Sequence, residues 1–190
     1  MADKNIHNGA GLSDRTRRFE AATLPHLGVA YNLALWLLRD EQNAQDVVQD
    51  AYLRALRFFD GLRGEDARPW LLSIVRNACF TWLKDNKREG EHVEFEEDRD
   101  SDIADLNMYR AENNPENLLI IKMESAQINQ AISALSPVFR EVIILRELEE
   151  LSYEEIALVA SIPLGTVMSR LARARALLRS ALKQIKQEVR

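Results

Sequence analysis

Apolar residues recur at steps of three and four along most of this chain, and short polar or glycine-containing breaks separate the runs. That period places them on one face of an α-helix. Residues 19–88 read as three such helices. Leu24, Leu27, Tyr31, Ala34, Leu35 and Leu38 mark the first, and Pro25 fits only near its start. After the polar break Arg39–Asn43, a second helix runs over about 44–59 on Ala44, Val47, Val48, Ala51, Ala55 and Phe59. Gly61 and Gly64 interrupt the pattern. A third helix follows from about Pro69 to Lys87, with proline in its first turn and Trp70, Leu71, Ile74, Ala78 and Leu83 as its buried stripe.

Periodicity fails over residues 89–116, then resumes after Pro115 with Leu118, Ile121, Ile128, Ile132 and Leu135 on one face. Ser136-Pro137 opens another helix, with serine as cap, proline at its first position and Glu141 placed to help satisfy the free amides. Its apolar face is Phe139, Val142, Ile143 and Leu145. Ser152 and Glu155 form a capping box at the next helix start, and Ile156, Val159 and Ala160 follow. Small Ala157 leaves room for a neighbouring helix. Ser161-Ile162-Pro163 stops this helix, and Gly165-Thr166 starts another whose buried face is Val167, Leu171, Ala174 and Leu178. Nothing alternates as a strand would. The expected fold is all-α, with two small helical domains on a tether: a tail at 1–18, domains at 19–88 and 117–190, and a linker at 89–116.

Charge changes this picture more than composition does. The 190 residues are 46% hydrophobic and 29% charged, which excludes a wholly disordered chain. The longest apolar run, Leu33–Leu38, is far short of the roughly 20 residues a bilayer span needs. Residues 1–12 carry no apolar signal core. Cys79 is the one cysteine and pairs with no other in the chain, which suits a reducing cytoplasm. With three scattered histidines it offers no zinc-type ligand cluster, and no metal or other cofactor is expected. Net charge is −5, but residues 89–116 hold eleven acids against two bases, so that segment carries −9 and the remainder +4. The stretch 166–190 holds seven bases against one acid. A short helix, a tight turn and a second helix with a basic outer face are the parts of a DNA-reading helix-turn-helix. A plain helical hairpin with solvated arginines has the same pattern.

The wording of particular segments goes further. Leu151-Ser152-Tyr153-Glu154-Glu155-Ile156-Ala157 and Ile162-Pro163-Leu164-Gly165-Thr166-Val167-Met168-Ser169-Arg170-Leu171-Ala172-Arg173-Ala174-Arg175 closely resemble the promoter-binding domain of extracytoplasmic-function (ECF) sigma factors. Asp46-Val47-Val48-Gln49-Asp50-Ala51-Tyr52-Leu53-Arg54-Ala55 resembles that family's polymerase-binding helix. Arg68-Pro69-Trp70-Leu71-Leu72-Ser73-Ile74-Val75-Arg76-Asn77 resembles the helix that engages melted promoter DNA, and Asn114-Pro115-Glu116 is familiar before the second domain. The resemblance covers about residues 19–180 in order. It implies regions 2 and 4 of a sigma-70 family protein: a non-catalytic, cytoplasmic transcription initiation subunit. Its partners would be core RNA polymerase, promoter DNA and an anti-sigma factor, in a stress response. The acidic linker would thread a basic channel of the polymerase.

Carried over residue by residue, Asp46, Gln49, Asp50 and Arg54 would contact core polymerase. Leu62, Gly64, Glu65 and Asn77 would capture an unstacked base of the −10 element. Trp70 is either a wedge at the melting point or a core aromatic. Arg76, Lys84, Lys87 and Arg88 would hold phosphates, adding affinity without sequence information. For the −35 element, Arg170 and Arg173 lead, with Ser169 beside them and Thr166 at a helix N-terminus that favours phosphate. Met168 and Ala172 occupy outward positions on this helix but bring no hydrogen-bond donor, so no relative's promoter sequence transfers. Arg175 is either a phosphate clamp or a salt-bridge partner.

Three other functions compete. A sigma-like decoy for an anti-sigma factor would lack the basic recognition face and base-capturing residues, whereas Arg170, Arg173 and Asn77 are present. An ordinary helix-turn-helix repressor accounts for 152–179 but not 46–77. A nuclease using the linker acids would lack a scaffold to fix their geometry. Cys79 lies near the apolar face of the third helix, as a buried inert thiol does.

Overall fold

Asp40 turns the first polar break into a helix start: its carboxylate accepts from the Asn43 amide at 2.8 Å. The computed structural model describes the backbone of residues 7–62, 66–89 and 126–188 and the side chains of 14–62, 66–86 and 126–185. The expected tether at 89–116 and the resumed helix before residue 126 lie almost wholly outside them. The chain divides into two compact units. Every described element is helical, as the sequence pattern predicts.

In the N-terminal unit, α1 (His7–Thr23) leads through a 3₁₀ turn at Leu24–His26 into α2 (Leu27–Leu38). Then come α3 (Glu41–Phe58) and α4 (Ala67–Glu89). The helical stretch of α1 before Phe19 is one for which the apolar pattern predicted no element. What anchors α1 is Phe19, buried against the rings of Tyr52 and Phe59 at 4.8 and 5.4 Å. Arg15 adds a cap for α3, donating to the Leu56 and Arg57 carbonyls while pairing with Asp60.

The α3 stripe is buried as predicted, at Ala44, Val47, Val48, Ala51 and Ala55. The other two stripes are rotated. On α2 the core side is Ala30, Leu33, Ala34, Trp36, Leu37 and Leu38, while Leu24 is exposed and Leu27, Tyr31 and Leu35 are half-buried. On α4 the core takes Leu71, Leu72, Val75 and Cys79, leaving Trp70, Ile74, Ala78 and Leu83 half-buried. α2 is apolar nearly all round, and α4 carries Trp70, Ile74, Phe80 and Trp82 beside its buried stripe, so periodicity admits more than one stripe. Packing of α2, α3 and α4 against one another decides which is buried. The Asp14–Leu38 stretch is apolar enough by length and composition to cross a bilayer. Its apolar side chains instead supply the centre of this three-helix core.

Helix starts also shift. Pro69 is in the first turn of α4 as expected, but the helix begins at Ala67 because Asp66 accepts from the Arg68 amide at 2.9 Å. Arg39 ends α2 in the left-handed region (φ 58°), donating its amide to the Leu35 carbonyl.

The C-terminal unit contains helical residues 126–133 (α5), α6 (Pro137–Ile143, continued as a π-turn over Ile144–Leu148), α7 (Tyr153–Ala160) and α8 (Leu164–Glu188). Pro137 sits in the first turn of α6, but Ser136 makes no side-chain cap bond. Nor is Glu141 at the solvent-facing start of that helix: it is fully buried and bound to Arg170. Arg140, also buried, donates to the carbonyls of Ile132, Ser133 and Leu135, closing the end of α5. The core is Val142, Ile143, Ile144, Leu145, Leu151, Ile156, Val159, Val167, Leu171 and Ala174.

Candidate nucleic-acid interface

The most defined local geometry surrounds α7 and α8. The capping box is present in both directions: the Ser152 amide donates to Glu155 at 2.6 Å, and the Glu155 amide to the Ser152 hydroxyl at 3.1 Å. α7 ends in a Schellman turn, with Ile162 N–H to the Ala157 carbonyl and Ser161 N–H to that of Leu158. Ser161 takes the left-handed conformation this requires (φ 54°), in the place where glycine is usual. Pro163 then bars any continuation.

α8 starts at Leu164, two residues earlier than Thr166. The amides of Thr166 and Val167 both donate to the Pro163 carbonyl. The part of this helix N-terminus open to an anion is therefore Leu164–Gly165, and Thr166 lies half-buried behind it. Val167, Leu171 and Ala174 seat α8 in the core. Met168, Ser169, Ala172 and Arg173 point outward. The Ser169 hydroxyl donates to the Thr166 carbonyl at 3.1 Å. The Arg173 guanidinium lies 5.7 Å from the centre of the Phe139 ring, which steadies it on α6.

The other two arginines are held by carboxylates. Arg170 reaches Glu141 at 3.1 Å, with its own side chain 25% exposed. Arg175 donates twice to Glu147, at 3.0 and 2.7 Å, so of its two sequence-level roles the structure shows the salt bridge. Hydrogen bonds to Glu147 and Tyr153 push the Arg175 pKa above its ordinary value. Sequence reading missed both pairings: Glu141 reads locally as a helix-start residue and Glu147 carries no signal, and each lies near 30 residues away from its arginine.

In the N-terminal unit, Asp46, Gln49, Asp50 and Arg54 all lie exposed on α3. Beside Gln49 runs an open apolar groove of about 530 Å³ between α2 and α3, lined by Leu27, Tyr31, Val48, Tyr52 and Leu53 among others. Leu27 and Tyr31, assigned to the core by periodicity, line this groove. Sequence reading missed the groove because it needs two helices to form.

Leu62 is half-buried, Asn77 and Lys84 are exposed, and Gly64, Glu65 and the side chains of Lys87 and Arg88 lie outside the described residues. The Arg76 guanidinium stacks 4.0 Å from the Phe80 ring centre and donates to the Asn77 side-chain oxygen at 3.2 Å. Trp70 is half-buried, 6.4 Å from the Phe59 ring. It belongs to the aromatic cluster under α1 while keeping one side toward solvent. Cys79 is buried, and desolvation pushes its thiol up to about 12. Among the described residues no group of His, Cys, Asp and Glu is arranged to hold a metal ion.

Two family descriptions match the chain: "Sigma-70 region 2" over residues 24–89 and "Sigma-70, region 4" over residues 125–178. The RNA polymerase sigma-H factor of Pseudomonas aeruginosa is 33% identical over 180 residues, covering 90% of each chain. The ECF RNA polymerase sigma-E factor of Escherichia coli K12 is 35% identical over 131 residues, 68% of this chain and 69% of that one. Among solved structures, the sigma factor RpoE bound to the anti-sigma factor NepR from Bartonella quintana matches with a TM-score of 0.70 and 26% identity. That match covers 88% of this chain and 98% of that one. CnrH in complex with the cytosolic domain of CnrY matches at TM-score 0.60 and 25% identity, over 93% and 94%. The chain belongs to the ECF group of the sigma-70 family, whose members are transcription initiation subunits and not enzymes.

Proposed function

We propose that this chain is an alternative sigma factor that binds core RNA polymerase, directs it to its own set of promoters and helps open the DNA there. The observation that carries this reading is α8: a helix seated by Val167, Leu171 and Ala174, entered through a tight turn, with Ser169 and Arg173 left outward. That is the division of faces a helix needs in a major groove. In this reading Ser169 and Arg173 contact the −35 element, with Met168 and Ala172 between the same base edges. Thr166 supports the start of the helix, Arg170 acts through Glu141 by fixing its roll, and Arg175 is held at Glu147.

The exposed Asp46, Gln49, Asp50 and Arg54 form the polymerase face. Leu62, Gly64, Glu65 and Asn77 take the unstacked −10 base, the solvent-facing side of Trp70 is a wedge at the melting point, and Arg76, Lys84, Lys87 and Arg88 hold phosphates. An anti-sigma factor is the expected regulator, since the similar sigma factor RpoE is bound to the anti-sigma factor NepR. The place of action is the cytoplasm, where polymerase and DNA are, and the physiological setting is a stress response.

Run-off transcription with purified core polymerase, this protein and fragments of its own genome tests the proposal. Discrete new start sites that require the protein are the expected result. Tight binding of core polymerase with no new transcript from any fragment would overturn promoter selection by this chain alone. Failure to bind core polymerase at all would overturn the sigma reading.

A further inference from the structure

The outward face of α8 is oddly poor in hydrogen-bonding groups where it should meet bases. Met168 is 54% exposed, and Ala172, one turn on, is exposed as well. Leu164, one turn before, is 42% exposed. The polar members, Ser169 and Arg173, run alongside this apolar row. Arg170 is instead drawn toward Glu141, which takes its Nη1 at 3.1 Å. A thioether and a methyl group donate nothing, and a thioether accepts weakly.

The major groove offers one apolar feature among its base edges, the C5 methyl of thymine. Burying about half of a methionine side chain against such a methyl is favourable. Presenting the same side chain to the N4 amino group of cytosine, or to the O6 and N7 acceptors of guanine, leaves those groups without a partner and is penalised. We propose that Met168 and Ala172 read thymine methyl groups in the upstream promoter element, making them specificity-determining residues. This rests on the reading of α8 as the promoter-recognition helix.

Geometry limits where those thymines lie. Residues four apart on a helix are separated by roughly 6 Å along its axis. Base pairs stack about 3.4 Å apart. The two methyls therefore belong to base pairs one or two steps apart, on either strand. They flank the contacts of Ser169 and Arg173, which share the same turns of helix.

The test uses the full chain reconstituted with core polymerase. Duplexes enriched from a pool randomised upstream of the start site define the bound element. That element is then resynthesised with deoxyuridine replacing each thymine in turn, which removes one methyl and keeps every hydrogen-bonding group. The expected result is one or two positions, no more than two steps apart, where uracil weakens binding about four-fold. That is the ratio expected from losing one buried carbon, ~0.8 kcal/mol. Met168→Ala should erase the uracil penalty at one position and leave it at the other. Met168 is exposed, so the variant keeps its core.

Uracil tolerated at full affinity throughout an otherwise specific element would overturn the inference while leaving promoter recognition intact. So would an element without thymine, or a penalty unchanged in Met168→Ala. Enrichment of no sequence at all would instead overturn the promoter-recognition reading on which the inference rests.

Discussion

Removing the Arg170 side chain should damage this protein through its fold before it touches any DNA. Glu141 is fully buried and receives the Arg170 guanidinium at 3.1 Å. A buried carboxylate that loses its bound cation is left desolvated without that charge, a change that typically costs about 3–5 kcal/mol. The Arg170 side chain is 25% exposed, so water reaches part of the site and the lower end, about 3 kcal/mol, is expected. For a helical unit of this size, that corresponds to a fall in melting temperature of at least about 12 °C. The complementary change is milder. Glu141→Gln removes the buried charge and leaves an arginine that can turn to water, so about 1 kcal/mol is expected.

The two units can be followed separately. All three tryptophans, Trp36, Trp70 and Trp82, lie in the N-terminal unit. Their fluorescence follows that unit, whereas far-ultraviolet circular dichroism follows helices in both. Arg170→Ala should move a transition seen by circular dichroism and leave the fluorescence transition in place. A melting curve identical to wild type, or a larger loss in Glu141→Gln than in Arg170→Ala, would refute the reasoning. In either case Arg170 would be released to act as a direct DNA contact.

Arg173→Ala should weaken upstream-element binding by a similar factor on all sequences and lower the salt slope by about one if the contact is to phosphate. Unchanged affinity would remove it from the interface. Asp50→Ala should reduce affinity for core polymerase without altering the melting curve, because Asp50 is exposed on α3; a normal holoenzyme titration would refute that. Ser161→Gly should stabilise the C-terminal unit by roughly 0.5–1 kcal/mol, because glycine relieves the left-handed backbone at φ 54°; a destabilised variant would show that the serine side chain contributes more than the strain.

The Cys79 thiol, pushed up to about 12 by burial, stays protonated in the folded chain while its unfolded counterpart ionises above about 9. The unfolded state then holds fewer protons, so stability falls as pH rises between those values. Wild type should lose about 1.4 kcal/mol from pH 8 to pH 10 that Cys79→Ala does not lose. Equal losses in both would refute it.

What the sequence made legible follows from which forces act locally. Caps and breakers are local, and they were readable: Ser152 with Glu155, Pro163 after the α7 turn, and Pro137 in the first turn of α6. A strongly amphipathic helix was readable too, because polar residues surround the apolar stripe of α3 and leave one way to bury it. α2 and α4 lack that contrast. Which of their apolar sides is buried depends on neighbours far along the chain, and the structure turned both stripes away from the ones read by counting.

The same division runs through the candidate site. The outward positions of α8 follow from the period of one helix, so Met168, Ser169, Ala172 and Arg173 were placed without a structure. Whether an outward arginine is free depends on a partner about 30 residues away. Of the four arginines clustered on α8, Arg170 and Arg175 are held by carboxylates and Arg179 bonds back to the Arg175 carbonyl. Arg173 alone rests on an aromatic face, which holds a guanidinium in place without neutralising it. A basic helix counted from sequence therefore overstates the charge this helix can offer to DNA. The outward surface that results is narrower and more apolar, with one steadied arginine, one serine and a methionine–alanine row, and under the proposed reading shape and methyl groups carry its specificity as much as charge does.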